Sequence, residues 1–335
     1  MRKKLPKILI TGGAGFIGSE FVRQAIGKGY LVIVVDKLTY AGDLSRLKDV
    51  KGKFKFYRAD ICDQAKIEQV FKKEKPGILI NFAAETHVDR SINACASFIE
   101  TNVKGTRLLL DLARIYRIKK FVHISTDEVY GEIRRGSFSE SSSLNPGNPY
   151  AASKACADLL IKSYIRTYDF PAVIVRPCNN YGPAQYPEKF IPVVISKAIK
   201  NQAVPVYARG ANVRDWLYVS DCAEAILLIM ERARPGEIYN VAGAEYKRNI
   251  TVAKEILVIL DKPQSLIRFI KDRPGHDFRY SMSTKKIKKE LGWQAKTRFG
   301  EGLLKTVYWY LNNQRAGRGS PNCCTAQLKA RSSIF

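Results

Sequence analysis

The stretch Lys7-Ile8-Leu9-Ile10-Thr11-Gly12-Gly13-Ala14-Gly15-Phe16-Ile17-Gly18 decides how the chain is read. Its first five residues are an apolar run of the kind that forms a buried parallel strand. Phe21, Val22, Ala25 and Ile26 then follow helical spacing, Gly29 closes that helix, and Leu31 to Val35 form a second apolar run ending in Asp36. Strand, glycine turn, helix, strand and acid follow in the order of a dinucleotide-binding unit. Gly12, Gly15 and Gly18 give the spacing G-x-x-G-x-x-G, a variant of the usual fingerprint. Glycines there allow a tight turn, close approach of a pyrophosphate to the backbone, and close helix–strand packing. The helix beginning near Phe16 and Ile17 offers unpaired N–H groups to an anion. Asp36 suits ribose hydroxyls and repels a 2′-phosphate, so NAD is expected rather than NADP.

The alternation continues outward from this unit. Phe54 to Arg58, Ile78 to Phe82, Phe121 to Ile124 and Ala172 to Val175 read as strands, separated by helical patterns at about 64–73, 97–116 and 149–168. The expected class is α/β, a Rossmann-like doubly wound parallel sheet with a smaller C-terminal substrate-binding lobe. Residues 1–180 are expected to form the NAD-binding domain, with returns from about 215–245. Residues 181–311 are expected to form the discontinuous second lobe, and 312–335 a disordered basic tail. Asp60-Ile61 follows the third strand as an adenine-side contact, and the small pair Ala83-Ala84 follows the fourth.

At the end of the run Phe121 to Ile124 stand Ser125-Thr126-Asp127-Glu128-Val129-Tyr130-Gly131. Ligands bind beyond the carboxyl ends of parallel strands, and two adjacent carboxylates there are costly unless something uses them. Tyr150 and Lys154, four apart at the start of a helix, share one face. A nearby ammonium is expected to lower the tyrosine's pKa and make it a base for a sugar hydroxyl. The candidate catalytic set is therefore Thr126, Asp127, Glu128, Tyr150 and Lys154.

The 335 residues carry 56 Lys and Arg against 31 Asp and Glu, a formal charge of +25. The lysines are scattered among apolar positions rather than gathered in an aromatic-interleaved block, so no nucleic-acid partner is expected. Such a surface suits a phosphorylated substrate. No apolar run approaches the roughly 18 residues of a spanning helix, and the basic N-terminus lacks a leader's apolar core, so no membrane and a cytoplasmic location are expected. The seven cysteines lack metal-ligand spacing and read as reduced thiols, with the Cys323-Cys324 pair in the tail; no metal is expected. His87 reads as a structural hydrogen-bonding residue. The helices at about 97–116 and 149–168 carry wide apolar faces, consistent with a homodimer through a four-helix bundle.

With the glycine turn, the Thr126-Asp127-Glu128 triplet and Tyr150-Ala151-Ala152-Ser153-Lys154 together, residues 7–311 resemble the extended short-chain dehydrogenase/reductase family of NAD-dependent epimerases and dehydratases. Asp36-Lys37-Leu38-Thr39, Asn179-Asn180-Tyr181-Gly182-Pro183 and Arg273-Pro274-Gly275-His276-Asp277 strengthen the likeness. The acid pair is similar to that of the nucleotide-hexose 4,6-dehydratases; the fold's epimerases usually lack it. The resemblance implies a lyase acting on a nucleotide-linked glucose with dTDP as the expected nucleotide. UDP- or CDP-glucose, or epimerase or decarboxylase chemistry, are the alternatives. It implies NAD contacts from Phe16, Ile17, Asp36, Lys37, Leu38, Thr39, Asp60, Ile61, Ala83, Ala84, Thr101, Tyr150, Lys154 and Asn180. It implies substrate contacts from Thr86, Thr126, Asp127, Glu128, Asn179, Lys189, Phe190, Ile191, Pro192, Pro205, Val206, Tyr207, Arg214, Asn249, Asp272, Arg273 and His276. Asp127 is the implied acid for the C6 hydroxyl and Glu128 the implied base at C5.

Overall fold

Seven apolar segments pair side by side in parallel in a computed structural model that describes residues 5–316. They are β1 (Lys7–Thr11), β2 (Leu31–Asp36), β3 (Phe54–Arg58), β4 (Ile78–Asn81), β5 (Lys120–Ile124), β6 (Ala172–Pro177) and β10 (Ile238–Val241). Their order in the sheet is β10-β6-β5-β4-β1-β2-β3. The chain leaves β1 in one direction for β2 and β3, then crosses to the other side for β4. That reversal opens a crevice at the carboxyl ends of β1 and β4, where ligands of doubly wound sheets sit.

Helices cover both faces, because each strand is apolar on both sides. The described helices are α1 (Phe16–Gly27), α2 (Gln64–Glu74), α3 (Val88–Asn93), α4 (Ala96–Phe98), α5 (Thr106–Ile115), α6 (Pro149–Tyr168), α7 (Phe190–Ile199), α8 (Val219–Arg232), α9 (Asn249–Ile259), α10 (Lys285–Leu291) and α11 (Phe299–Ala316), of which α7, α9 and α11 pack on one another away from this sheet. A π-helical stretch, Ile99–Gly105, joins α4 to α5, so the helix expected at about 97–116 is continuous but locally widened. Ile8, Ile10, Val32 and Val122 pack one face of the sheet; Leu9, Ile33, Leu79 and Phe121 pack the other.

Two small sheets lie outside the large one. β7 (Asn179–Tyr181), β9 (Val213–Tyr218) and β11 (Tyr246–Arg248) form one; β8 (Val204–Tyr207) and β12 (Ile267–Ile270) form the other. Around them, Tyr181, Ile195, Trp216, Ile256 and Phe299 build a separate apolar cluster. The chain rejoins the large sheet through α8 and β10, with α8 packed on α1. The last helix, expected to end near Leu311, continues to Ala316, so residues 312–316 are not part of a tail. The remaining tail positions, with Cys323 and Cys324, lie outside the described residues.

α6 begins where Asn148-Pro149 predicts a helix start: Asn148 Oδ1 accepts from Ala151 N at 2.9 Å, and proline occupies the first turn. Two turns in, Asp158 is fully buried and pairs with Arg176 of β6 at 2.9 Å. Arg176 also donates to the Tyr130 hydroxyl at 2.7 Å, and Tyr130 donates to Asn240 Oδ1 of β10 at 2.8 Å. Removing one member of a buried pair strands the other charge. Arg176→Met is expected to cost about 3–5 kcal/mol in urea unfolding, and adding Asp158→Leu should recover most of it. A double variant as unstable as the sum of the two single changes would contradict this account.

Candidate active site

The glycine turn is closed to side chains. Gly12 has φ +70°, and a Cβ there would lie 2.6 Å from Ala83 N. A Cβ on Gly18 would lie 2.3 Å from Gly12 O. The backbone of β1, α1 and residue 83 therefore meets directly, leaving the N-terminus of α1 as a bare floor of N–H donors. Asp36, at the tip of β2, accepts from Ala14 N at 2.9 Å and Leu38 N at 2.8 Å, which fixes its carboxylate toward the cleft. Arg46, the guanidinium nearest Asp36, is committed to the carbonyls of Ala184, Ala14 and Ala41 and is not offered to a 2′-phosphate. Farther in, Asn179 Oδ1, Asn180 Oδ1 and Ser125 Oγ are buried without a partner. Bare backbone, an oriented acid and unspent polar atoms fit a dinucleotide.

One cleft gathers most of the expected residues. Gly12, Gly15, Phe16, Ile17, Gly18, Asp36, Lys37, Thr39, Asp60, Ile61, Ala83, Ala84, Thr101, Tyr150, Lys154 and Asn180 line it, as do Thr86, Thr126, Asp127, Glu128, Asn179 and Lys189. Leu38 meets Asp36 only through its backbone and is not part of the lining. Lys37 pairs with Asp60 at 2.6 Å across the adenine end.

Where β5 ends, Thr126 caps a single 3-10 turn, Asp127–Tyr130. Its hydroxyl donates to Asp127 Oδ1 at 3.2 Å and accepts from Glu128 N at 3.3 Å. Asp127 Oδ2 is buried with no partner. Burial, and then the neighbouring Glu128, hold the Asp127 carboxyl well above the usual range, only partly opposed by Arg214. Such a shift favours the protonated form of Asp127 and suits it to donate a proton. Glu128 Oε2 accepts from Asn148 Nδ2 at 3.2 Å, and the Tyr280 hydroxyl stands 3.4 Å away.

The expected lowering of the Tyr150 pKa is not found. Burial, followed by Glu128, pushes the phenol up, and only the Thr126 hydroxyl works the other way. Lys154 shares the face of α6 with Tyr150, but its ammonium turns to Ile124 O at 2.7 Å and His123 Nε2 at 3.2 Å. Burial brings the Lys154 amine down to about 8.

The remaining expected substrate residues lie beyond the cleft lining, on the small sheets and their loops. Arg214 is pinned by the carbonyls of Val213, Phe278 and Asp277 and lies 4.4 Å over the Tyr280 ring. Asn249 starts α9 with its Oδ1 buried and unpartnered. Tyr207 and Arg273 both hydrogen-bond Asp89 of α3, and His276 bonds Asp272 at 2.6 Å. Lys189, by contrast, lines the cleft and donates to Thr86 O at 2.9 Å. Phe190 and Pro205 are half-buried, Pro192 is buried, and Ile191 and Val206 are buried core side chains of the small lobe. His87 caps α3, accepting from Arg90 N at 3.3 Å.

Sequence reasoning missed Asn148 and Tyr280, which flank Glu128, and Glu188, which lines the cleft and accepts from the Tyr40 hydroxyl at 3.1 Å. Asn148 carries a local signal as a helix cap. Tyr280 is 152 residues from Glu128 and carries none.

Comparison with known proteins places this geometry. A family model described as GDP-mannose 4,6 dehydratase matches residues 9–306. The chain is 48% identical to a probable dTDP-glucose 4,6-dehydratase of Sinorhizobium fredii, over 92% of this chain and 93% of that one. It is 45% identical to the dTDP-glucose 4,6-dehydratase of Escherichia coli, over 92% and 94%. The crystal structure of DesIV, the dTDP-glucose 4,6-dehydratase of Streptomyces venezuelae, has NAD and dTDP bound; it superposes with TM-score 0.89 at 43% identity, over 92% of this chain and 98% of that one. The UDP-glucose 4-epimerase of Thermus thermophilus, in complex with NAD, shares the fold at TM-score 0.86 and 31% identity. The chain belongs to the nucleotide-sugar 4,6-dehydratase family, among the dTDP-glucose 4,6-dehydratases.

Proposed function

We propose that the protein removes water from dTDP-glucose to give dTDP-4-keto-6-deoxyglucose, with NAD held in the crevice between β1 and β4. The observation that carries this reading is Asp127 beside Glu128 in the cleft that holds Tyr150 and Lys154, its carboxyl held well above the usual range and its Oδ2 without a partner. An epimerase has no use for that acid.

When bound, NAD takes hydride from C4, returns it at C6 and carries a positive charge into the cleft. The glycine turn and α1 hold its pyrophosphate, and Asp36 its ribose. Tyr150, with Thr126 and Lys154 beside it, takes the proton of the C4 hydroxyl as that carbon is oxidised. It does so as the phenolate, which the positive charge of bound NAD and the Lys154 ammonium would favour against the burial that pushes the phenol up. The resulting ketone acidifies C5, and Glu128, steadied by Asn148, removes the C5 proton. Asp127 gives its proton to the departing C6 hydroxyl, which leaves as water. Neutrality is what permits this, since only a protonated carboxyl donates. As hydride comes back to C6, Glu128 returns the proton to C5, and the proton held by Tyr150 passes back to Asp127 to close the cycle. Redox is internal to the cycle, so turnover needs no added reductant.

Residues 1–180, with α8 and β10 of the 215–245 return, serve the cofactor, and 181–311 serve the sugar nucleotide. Arg214, Asn249, Arg273 and His276 supply the anion and base contacts there. The protein acts as a homodimer. Ile115, Leu159 and Tyr168 on α5 and α6 are 61%, 55% and 51% exposed, an apolar face that a second copy would cover as a four-helix bundle. A cytoplasmic location fits the five described cysteines, all free thiols, and no described helix is long and apolar enough to cross a membrane.

Mass spectrometry of reactions with dTDP-, UDP- and CDP-glucose is expected to show loss of one water from the dTDP sugar without added reductant. Product from another nucleotide alone would keep the mechanism and overturn the base assignment. Asp127→Asn should retain C4 oxidation, seen as reduced-nicotinamide absorbance, while elimination falls by about 10²–10⁴-fold. Asp127 keeps its proton in the folded state above the pH at which the unfolded chain loses it, so it costs stability at neutral pH. Asp127→Asn is therefore expected to melt about 2 °C or more higher at pH 7, with the gain shrinking as pH falls and vanishing below about pH 3, where the carboxyl is protonated in both states. A lower melting temperature at neutral pH would refute the neutral-acid assignment.

A further inference from the structure

Thr11, Asn81 and His123 occupy one rung of the large sheet. Thr11 is the register partner of Asn81, and Asn81 of His123. All three are fully buried on the face covered by α5 and α6, where the rung below is Leu9, Leu79 and Phe121. A polar rung in an apolar layer is costly unless every group is satisfied, and packing here gives no reason for it. The side chains connect in a line. Thr11 Oγ1 lies 2.7 Å from one end of the Asn81 amide, and the other end lies 3.2 Å from His123 Nδ1 and 3.3 Å from Thr106 Oγ1. His123 Nε2 lies 3.2 Å from Lys154 Nζ. The line ends at the one residue that reaches the cleft.

We propose that His123 is a positioning residue for Lys154, and that its tautomer, set against Asn81, follows the charge of the lysine. An ammonium only donates, so Nε2 must be the bare nitrogen facing it. Nδ1 then carries the proton, and the Asn81 amide, placed here with Nδ2 toward Nδ1 and Oδ1 accepting from Thr11, turns over so that its carbonyl accepts from Nδ1 and its nitrogen donates to Thr11. When Lys154 is the free amine, the line reverses: Nε2–H donates to Nζ, and the Asn81 amide nitrogen donates to Nδ1. The imidazole is neutral in both arrangements. Burial and the neighbouring Lys154 hold the imidazolium form well out of reach, in agreement with this. The groups facing the line are Asp158, on the helix of Lys154 and paired with Arg176 of β6, and Tyr150, one turn before the lysine. β1, β4 and the start of α5 contribute the uncharged Thr11, Asn81 and Thr106. His123 thus fixes the ammonium between β5 and the cleft, where the backbone carbonyl of Ile124 alone would leave it free to swing.

The inference rests on reading Lys154 as the partner of Tyr150, and two measurements keep the two apart. The chain has three histidines, His87, His123 and His276, so ¹⁵N-imidazole spectra of the whole protein are readily assigned. One ring is expected to stay neutral from about pH 6 to about pH 9. Its tautomer should reverse with a midpoint near about 8, and the reversal should vanish in Lys154→Met. Three rings that each titrate to imidazolium, or a neutral ring whose tautomer ignores Lys154, would overturn the proposal. In turnover, His123→Phe should lower kcat by about tenfold or more with KM within about twofold and should move the pH profile of kcat, whereas His123→Gln, which keeps an acceptor, should recover most of it. A folded His123→Phe variant with unchanged kcat and pH profile would also overturn it. If neither variant folds, the spectra of the parent decide. A parent without dehydratase turnover would count against the reading of the site, not against the His123–Lys154 pairing.

Discussion

Arg176 carries its charge where water does not reach, and three elements around the active site hang from it. Its guanidinium joins Asp158 of α6 to the Tyr130 hydroxyl in the turn after β5, and Tyr130 in turn reaches Asn240 of β10. The arginine side chain is 1% exposed and its carboxylate partner 0%, so the pair is held by hydrogen bonds that water cannot replace. Tyr130 is stacked against Phe138 at 5.1 Å, which closes the space behind the turn. The acid pair and the Tyr150–Lys154 face therefore stand on one rigid frame, although they come from different elements.

On that frame, burial assigns the chemistry. Asp127 and Glu128 are neighbours in sequence with the same functional group. Asp127 turns inward, where one oxygen finds no partner, and keeps its proton. Glu128 turns toward Asn148, whose amide donates to it; the Tyr280 hydroxyl, 3.4 Å away, donates to Asp277 at 2.6 Å. The two side chains differ by a methylene, yet Asp127 is the one placed where dryness favours the protonated form. Tyr150 and Lys154 feel the same dryness: the phenol is pushed up and the amine down, the reverse of what a tyrosine–lysine pair in isolation implies.

Local patterns were legible wherever the physics is local. The glycine spacing announces a turn that Gly12 and Gly18 must occupy, since any Cβ would strike backbone. Asn148-Pro149 announces a helix start. Apolar runs locate the strands to within a residue or two, and the expected cofactor residues converge on one cleft. The helix end near Ala316 was not legible, because the residues after Leu311 carry no apolar period. Nor were the partners of Glu128 and of Lys154. Tyr280 and His123 reach those groups only after the chain has folded, and no spacing in the sequence announces either pairing.

The sequence by itself determined the doubly wound sheet, the crevice at its reversal and the identity of the five side chains at the site. Those follow from period, glycine and residue type, which act over a few neighbours. Only the tertiary structure decided which of two adjacent acids keeps its proton, where the lysine's ammonium points, and which polar side chains hold it there. Those depend on water exclusion and on contacts between strands and helices far apart in the chain, and dielectric environment is a property of the folded interior rather than of any stretch of sequence.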